Sequence, residues 1–168
     1  MIGPMGATFF NRISRRGVLG SGAPDGGPAR VLDLCTGTAD LLIEALSRDS
    51  RHSGLGVDLS HAMLVRGSGK LARGGYSGRA ALAQGDGEHL PVKAGVFDGA
   101  LVAFGIRNVG DPLQAMREVH RVLRPGGRLL VVDFAPHEQE FLREQFAHRR
   151  LGFTPETVSQ WIVQSGLE

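Results

Sequence analysis

Cysteine is nearly absent from this 168-residue chain, in which Cys35 stands alone. One thiol can neither close an internal disulfide nor build a cysteine metal site, which fits a reducing cytoplasm. Charge of one sign is missing as well. Nineteen Lys and Arg against 17 Asp and Glu leave a net charge of +2, and the basic residues form only pairs such as Arg15-Arg16 and Arg149-Arg150. That balance supplies no electrostatic footprint for nucleic acid. Apolar runs such as Leu129 to Val132 are far shorter than the roughly 18 residues of a membrane span. The opening Met-Ile-Gly-Pro-Met-Gly lacks the charged and apolar regions of a signal peptide. Neither a His-Glu-x-x-His pattern nor a Cys/His cluster occurs, so no metal is expected. The Gly-x-Gly-x-x-Gly fingerprint of dinucleotide binding is also missing, which argues against a nicotinamide-dependent oxidoreductase.

What the chain does contain is glycine, 25 residues or about 15%, roughly twice ordinary usage. Seven of these precede Ala29, so residues 1–28 read as a loose segment. The remainder has the composition and length of one globular domain, since a domain averages about 150 residues. Strand-like apolar runs are expected over Ala29 to Cys35, Gly54 to Leu59, Ala81 to Gln84, Phe97 to Phe104 and Arg128 to Phe134. Between them lie helical patterns: Asp40 to Arg48, then Ser60 as N-cap of a helix through Met63, Leu64 and Leu71. The glycines from Gly67 to Gly78 argue against helix in the C-terminal part of that segment. Asp111 and Pro112 open a helix to Leu123 with Leu113, Met116, Val119 and Leu123 inward, and Pro125-Gly126-Gly127 ends it. Glu138 to Arg150 reads as helical, and Thr154-Pro155 starts a last helix through Trp161. Continuous apolar strands alternating with helices imply an α/β fold with a doubly wound parallel sheet. Its ligands should bind beyond the carboxyl ends of the strands.

Four strand ends carry polar residues. After the first come Asp33, Gly37 and Thr38, where a glycine lets backbone approach a ligand; an ordinary strand-to-helix turn explains it equally. After the second comes Asp58, one helix and one strand beyond Gly37, placed to accept from both hydroxyls of a ribose or else to cap the next helix. After the third come Asp86 and Gly87, suited to an adenine edge or to a simple turn. After the fourth come Arg107 and Asn108, which are not core residues on this reading and face either solvent or a substrate.

Five motifs occur in order: Val31-Leu-Asp-Leu-Cys-Thr-Gly-Thr-Ala-Asp40, Gly56-Val-Asp-Leu-Ser60, Gly85-Asp-Gly-Glu-His-Leu-Pro91, Ala103-Phe-Gly-Ile-Arg-Asn-Val109 and Arg121-Val-Leu-Arg-Pro-Gly-Gly-Arg-Leu129. Together they resemble the class I S-adenosylmethionine-dependent methyltransferases. More narrowly, they resemble the UbiE/MenG type, which C-methylates ubiquinone and menaquinone precursors. The resemblance covers about residues 29–136 and implies a methyltransferase domain over 29–168. It implies S-adenosyl-L-methionine as cofactor, with Gly37 and Thr38 at its methionine end and Asp33 supporting the loop. Asp58 would hold the ribose, and Asp86 and Gly87 the adenine. Met63 would lie on the adenine face unless it is simply a core residue. Arg107 and Asn108 would be the catalytic pair, Arg107 as electrostatic stabiliser of a phenolate because arginine stays protonated. His89 and His137 follow strands and read as surface residues rather than bases.

Thr36 and Ala39 stand where the family has glycine, and Ala103 where many relatives have serine. The substrate-lid region is reduced to Pro136–Gly152. These departures leave open another small-molecule acceptor, or a degenerate non-catalytic interaction domain. The resemblance also implies seven strands, the last two a hairpin, whereas the chain supplies five. The expectation is therefore a truncated or partner-completed domain. Its bare strand-five edge suits pairing with a second copy. The expected partners are a small acceptor such as a quinol and no nucleic acid, with peripheral membrane contact at most.

Overall fold

The structure is a computed structural model that describes residues 23, 26–146 and 148–167. The loose segment expected over residues 1–28 lies almost wholly outside the described residues.

Five parallel strands form one sheet in the order β3-β2-β1-β4-β5. They are β1 (Arg30–Leu34), β2 (Ser53–Asp58), β3 (Ala80–Gln84), β4 (Phe97–Ala103) and β5 (Leu123–Val132). In β1 and β4 nearly every residue is buried, because helices cover both faces of the sheet. The crossovers are α1 (Asp40–Leu46), α2 (His61–Arg73) and α3 (Pro112–Val122), followed after β5 by α4 (Phe141–Phe146) and α5 (Pro155–Gln164). The chain jumps from β3 to the far side of β1 to make β4. The strand order therefore reverses between β1 and β4, where sheets of this kind open a ligand crevice.

On one face Met116, Val119 and Val122 of α3 pack against Leu32, Leu34, Val57 and Val102. On the other, Leu42 and Leu46 of α1 pack with Leu71 of α2. Caps fall where the side chains allow them. Ser60 accepts from the Met63 N–H, Asp111 from the Gln114 N–H and Thr154 from the Thr157 N–H. Each satisfies a donor that a helix start leaves free.

Three local expectations differ from the structure. Helix α2 continues through Gly67 and Gly69 to Arg73. Gly67 is a packing residue, since a Cβ there would lie 3.0 Å from Leu82 and 3.2 Å from the Thr38 carbonyl carbon. Packing of α2 against the loop after β1 outweighs glycine's weak helix propensity. Strand β5 starts at Leu123, paired with Phe97, and resumes at Arg128, paired with Gly99, so the Pro-Gly-Gly stretch bulges out of the ladder instead of preceding it. The helix expected over 138–150 is reduced to α4.

Strand β5 is an edge of the described sheet. Among the described residues no helix is long and apolar enough to cross a membrane.

Candidate cofactor and acceptor site

The loop leaving β1 is built on three left-handed residues, Cys35, Gly37 and Ala39, with φ of 56°, 55° and 63°. Only glycine adopts this conformation freely. The other two are held by their surroundings: Cys35 is half-buried and Ala39 fully buried. The Thr36 hydroxyl donates to Asp33 Oδ2 (2.6 Å), and the Leu42 N–H donates to the same oxygen (3.1 Å). Asp33 is buried, and desolvation pushes its carboxyl up to about 7 despite those two bonds. It braces the loop from beneath. Thr36, standing where glycine is the family pattern, fits because Gly56 opposite has no side chain; a Cβ there would lie 2.7 Å from the Thr36 hydroxyl.

Asp58, at the end of β2, ties this loop to the next. Its Oδ2 accepts from the Gly37 N–H and its Oδ1 from the Ser60 N–H, each at 2.8 Å. Helix capping falls to Ser60, and the Asp58 carboxylate stands in the wall of a cleft of about 530 Å³. Asp86, Gly87, Met63, Phe104 and Asn108 share that cleft. Asp86 Oδ1 accepts from the Glu88 N–H at 2.9 Å, shaping its turn. Gly87 is buried against Leu34. Met63 is 42% exposed, so it is a cleft residue and not a core one.

A second cleft of about 450 Å³ adjoins the first and shares Cys35, Gly37, Met63, Ala103 and Phe104 with it. Thr38 lines this second cleft. Its hydroxyl donates to Asp40 Oδ2 and accepts from Lys70 Nζ, both at 2.7 Å, while Lys70 also pairs with Asp40. Lys70 thus clamps α2 onto the loop. Sequence reasoning missed it, because only the packing of α2 against the β1 loop brings Lys70 back to Thr38 and Asp40.

Arg107 and Asn108 part company. A short 3-10 turn, Ile106–Asn108, turns each residue about 120° from the last. Asn108 is exposed in the larger cleft, where its Oδ1 accepts from the Arg149 N–H (3.3 Å). Arg107 points inward and is 1% exposed, which corrects the expectation that it is not a core residue. Its Nη2 lies 2.8 Å from Asp133 Oδ1, and that ion pair makes the burial tolerable. Arg150 braces the turn from outside, donating to the carbonyls of Arg107, Val109 and Gly110. His89 is exposed as expected. His137 is half-buried, with its Nε2 closed off from solvent, so it is not the surface residue expected.

A sequence profile of the ubiE/COQ5 methyltransferase family matches residues 13–161. Over 114 residues the chain is 40% identical to the ubiquinone/menaquinone biosynthesis C-methyltransferase UbiE of Geotalea daltonii, a match covering 67% of this chain and 47% of that protein. It is 38% identical over 117 residues to the demethylmenaquinone methyltransferase of Lactiplantibacillus plantarum, covering 68% and 49%. The chain thus spans about half the length of these curated relatives. Among solved structures, the cyclase SpnF superimposes with a TM-score of 0.78 at 24% identity over 95% of this chain and 56% of that one. That likeness establishes the Rossmann-like α/β fold.

Proposed function

The chain belongs to the ubiE/COQ5 methyltransferase family, and from that premise we propose that it uses S-adenosyl-L-methionine to methylate a ring carbon of a small quinol-type acceptor. The observation that carries this reading is Asp58. Each of its oxygens spends one lone pair on a backbone N–H and keeps another for a ribose hydroxyl. The cleft fits the rest of such a cofactor. Asp86 and Gly87 suit the adenine, Met63 its face, and Gly37 and Thr38 the amino-acid end. The bound cofactor would supply an activated methyl group on a sulfonium.

What remains for the chain is to exclude water and hold a ring carbon about 3–3.5 Å from that methyl. Asn108 reaches the cleft and orients the acceptor. Arg107 lies 5.3 Å behind the Phe104 ring, and the role assigned to it is to stabilise a phenolate through its fixed positive charge.

Calorimetric titration of the full chain with S-adenosylmethionine and with NAD tests the cofactor. Binding of the first alone is expected, with Asp58→Ala weakening it at least tenfold. Unchanged affinity in that variant refutes the site assignment. A labelled-methyl assay over a quinol panel tests the acceptor, and labelling of the ring carbon is the expected product.

A further inference from the structure

The exits of β4 and β5 lie side by side, joined by the Phe104 N–H donating to the Val132 carbonyl at 2.8 Å. The rings of Phe104 and Phe134 stand 5.2 Å apart. The Arg107 guanidinium carbon lies 5.3 Å and 4.4 Å from their centroids, so the two rings roof it. Beneath them is the Arg107–Asp133 pair, with side chains only 1% and 4% exposed. His148 Nδ1 is 3.5 Å from Arg107 Nη1, and the His137 ring is 5.5 Å from that of Phe134. Residues from three separate stretches of chain therefore converge on one point beside the cleft wall.

Yet the cluster is not saturated. Arg107 Nε, Asp133 Oδ2 and His137 Nε2 are buried without a hydrogen-bond partner. Each such atom has given up water with nothing in return, and a pair serving stability alone has no reason to collect them. Phe104, which roofs the cluster, is itself held at φ 57° and lines both clefts. Unfavourable backbone of this kind gathers at functional sites. Phe134 is 42% exposed, so one half of the roof faces solvent, while the other, Phe104, faces the clefts.

We propose that Asp133 is the proton acceptor for the ring hydroxyl of the acceptor, with Arg107 as the counter-charge of the resulting phenolate. This rests on the methyltransferase reading above. The hydroxyl O–H bond breaks, its electron pair stays on oxygen, and the proton moves to Asp133 Oδ2. The new carbon–carbon bond would form as the donor's methyl–sulfur bond breaks with its electron pair left on sulfur, and the ring carbon then loses its own hydrogen to water as a proton. Asp133 then returns its proton to the ring oxygen, so one proton leaves to solvent per methyl transferred. Arginine keeps its charge and cannot serve as the base. The ionisable groups facing Asp133 are Arg107, His148 and the Cys35 thiol, with His137 behind His148. Burial raises the Asp133 carboxyl above its ordinary range, toward what a general base needs near neutral pH.

The test uses 4-nitrophenol with the full chain, below the pH at which the free probe ionises. Absorbance reads the phenolate, and calorimetry in buffers of different ionisation enthalpy counts protons. The wild-type chain is expected to show the phenolate band with no proton released, and Asp133→Asn to show it with about one proton released. His137→Gln should behave as wild type. A neutral bound probe, a full proton released by wild type, or no release by Asp133→Asn overturns the proposal. The wild-type result stands even if Asp133→Asn does not fold. Methyl transfer should fall about a hundredfold or more in that variant with S-adenosylmethionine affinity unchanged. Loss of cofactor binding in wild type would instead refute the methyltransferase reading.

Discussion

Asp33 makes the stability of this protein depend on pH in an unusual direction. Its carboxyl is buried under the β1 loop, and desolvation raises it from 3.8 to about 7. Between those two pH values the native chain holds a proton that the unfolded chain has lost. The unfolded state then binds fewer protons, so stability falls as pH rises. The stabilising contribution is complete below about pH 4 and is gone once pH passes about 7. A span of about three pH units at 1.36 kcal/mol each sets the full effect on the order of 4 kcal/mol. That is a large part of the roughly 5–15 kcal/mol typical of a domain.

Asp33→Asn removes the titration while leaving a carbonyl oxygen for Thr36 or Leu42. Urea unfolding of both proteins from pH 4.5 to 8 provides the assay. The wild-type advantage over the variant should shrink steadily with pH, by up to about 1.4 kcal/mol per unit. His52 and His148, both pushed down by burial, favour the folded state as pH rises toward the ordinary histidine range. They do so in both proteins and cancel in the difference. A stability difference that stays flat across this range would refute the reasoning.

Gly56→Ala places a methyl 2.7 Å from Leu82 and from the Thr36 hydroxyl. Because Thr36 is pinned to Asp33, overpacking should cost about 1–3 kcal/mol, read as a lower urea midpoint with unchanged slope. Met116 is fully buried beneath the sheet, and Met116→Ala should lose about 2–5 kcal/mol in the same measurement. Arg150→Ala removes the guanidinium that holds three carbonyls of the 107–110 turn. Amides of that turn should exchange faster by hydrogen exchange, while those of β1 and β4 keep their protection.

Much of the frame was legible locally. The runs at 29–35 and 97–104 mark buried strands because residues enclosed on both faces are mostly apolar. Ser60, Asp111 and Thr154 announce helix starts because a cap is satisfied within three residues of itself. The spacing from Gly37 to Asp58 is the length of one helix and one strand, which brings the two together at 2.8 Å.

Other features depended on partners far along the chain. The glycines of α2 looked like helix breakers until the β1 loop was packed against Gly67. Arg107 looked exposed because its type usually is. Only Asp133, which belongs to a later stretch of chain at the exit of the adjacent strand, supplies the charge that lets it be buried. Lys70 and Phe104 carried no local signal for the cleft. The sequence by itself determined the order of elements, their caps and the residues at the strand ends, since these rest on contacts within a few positions. The tertiary structure alone decided which of those residues face the cleft and which turn inward. That choice is made by burial and charge pairing, and both are properties of the neighbours the fold brings in.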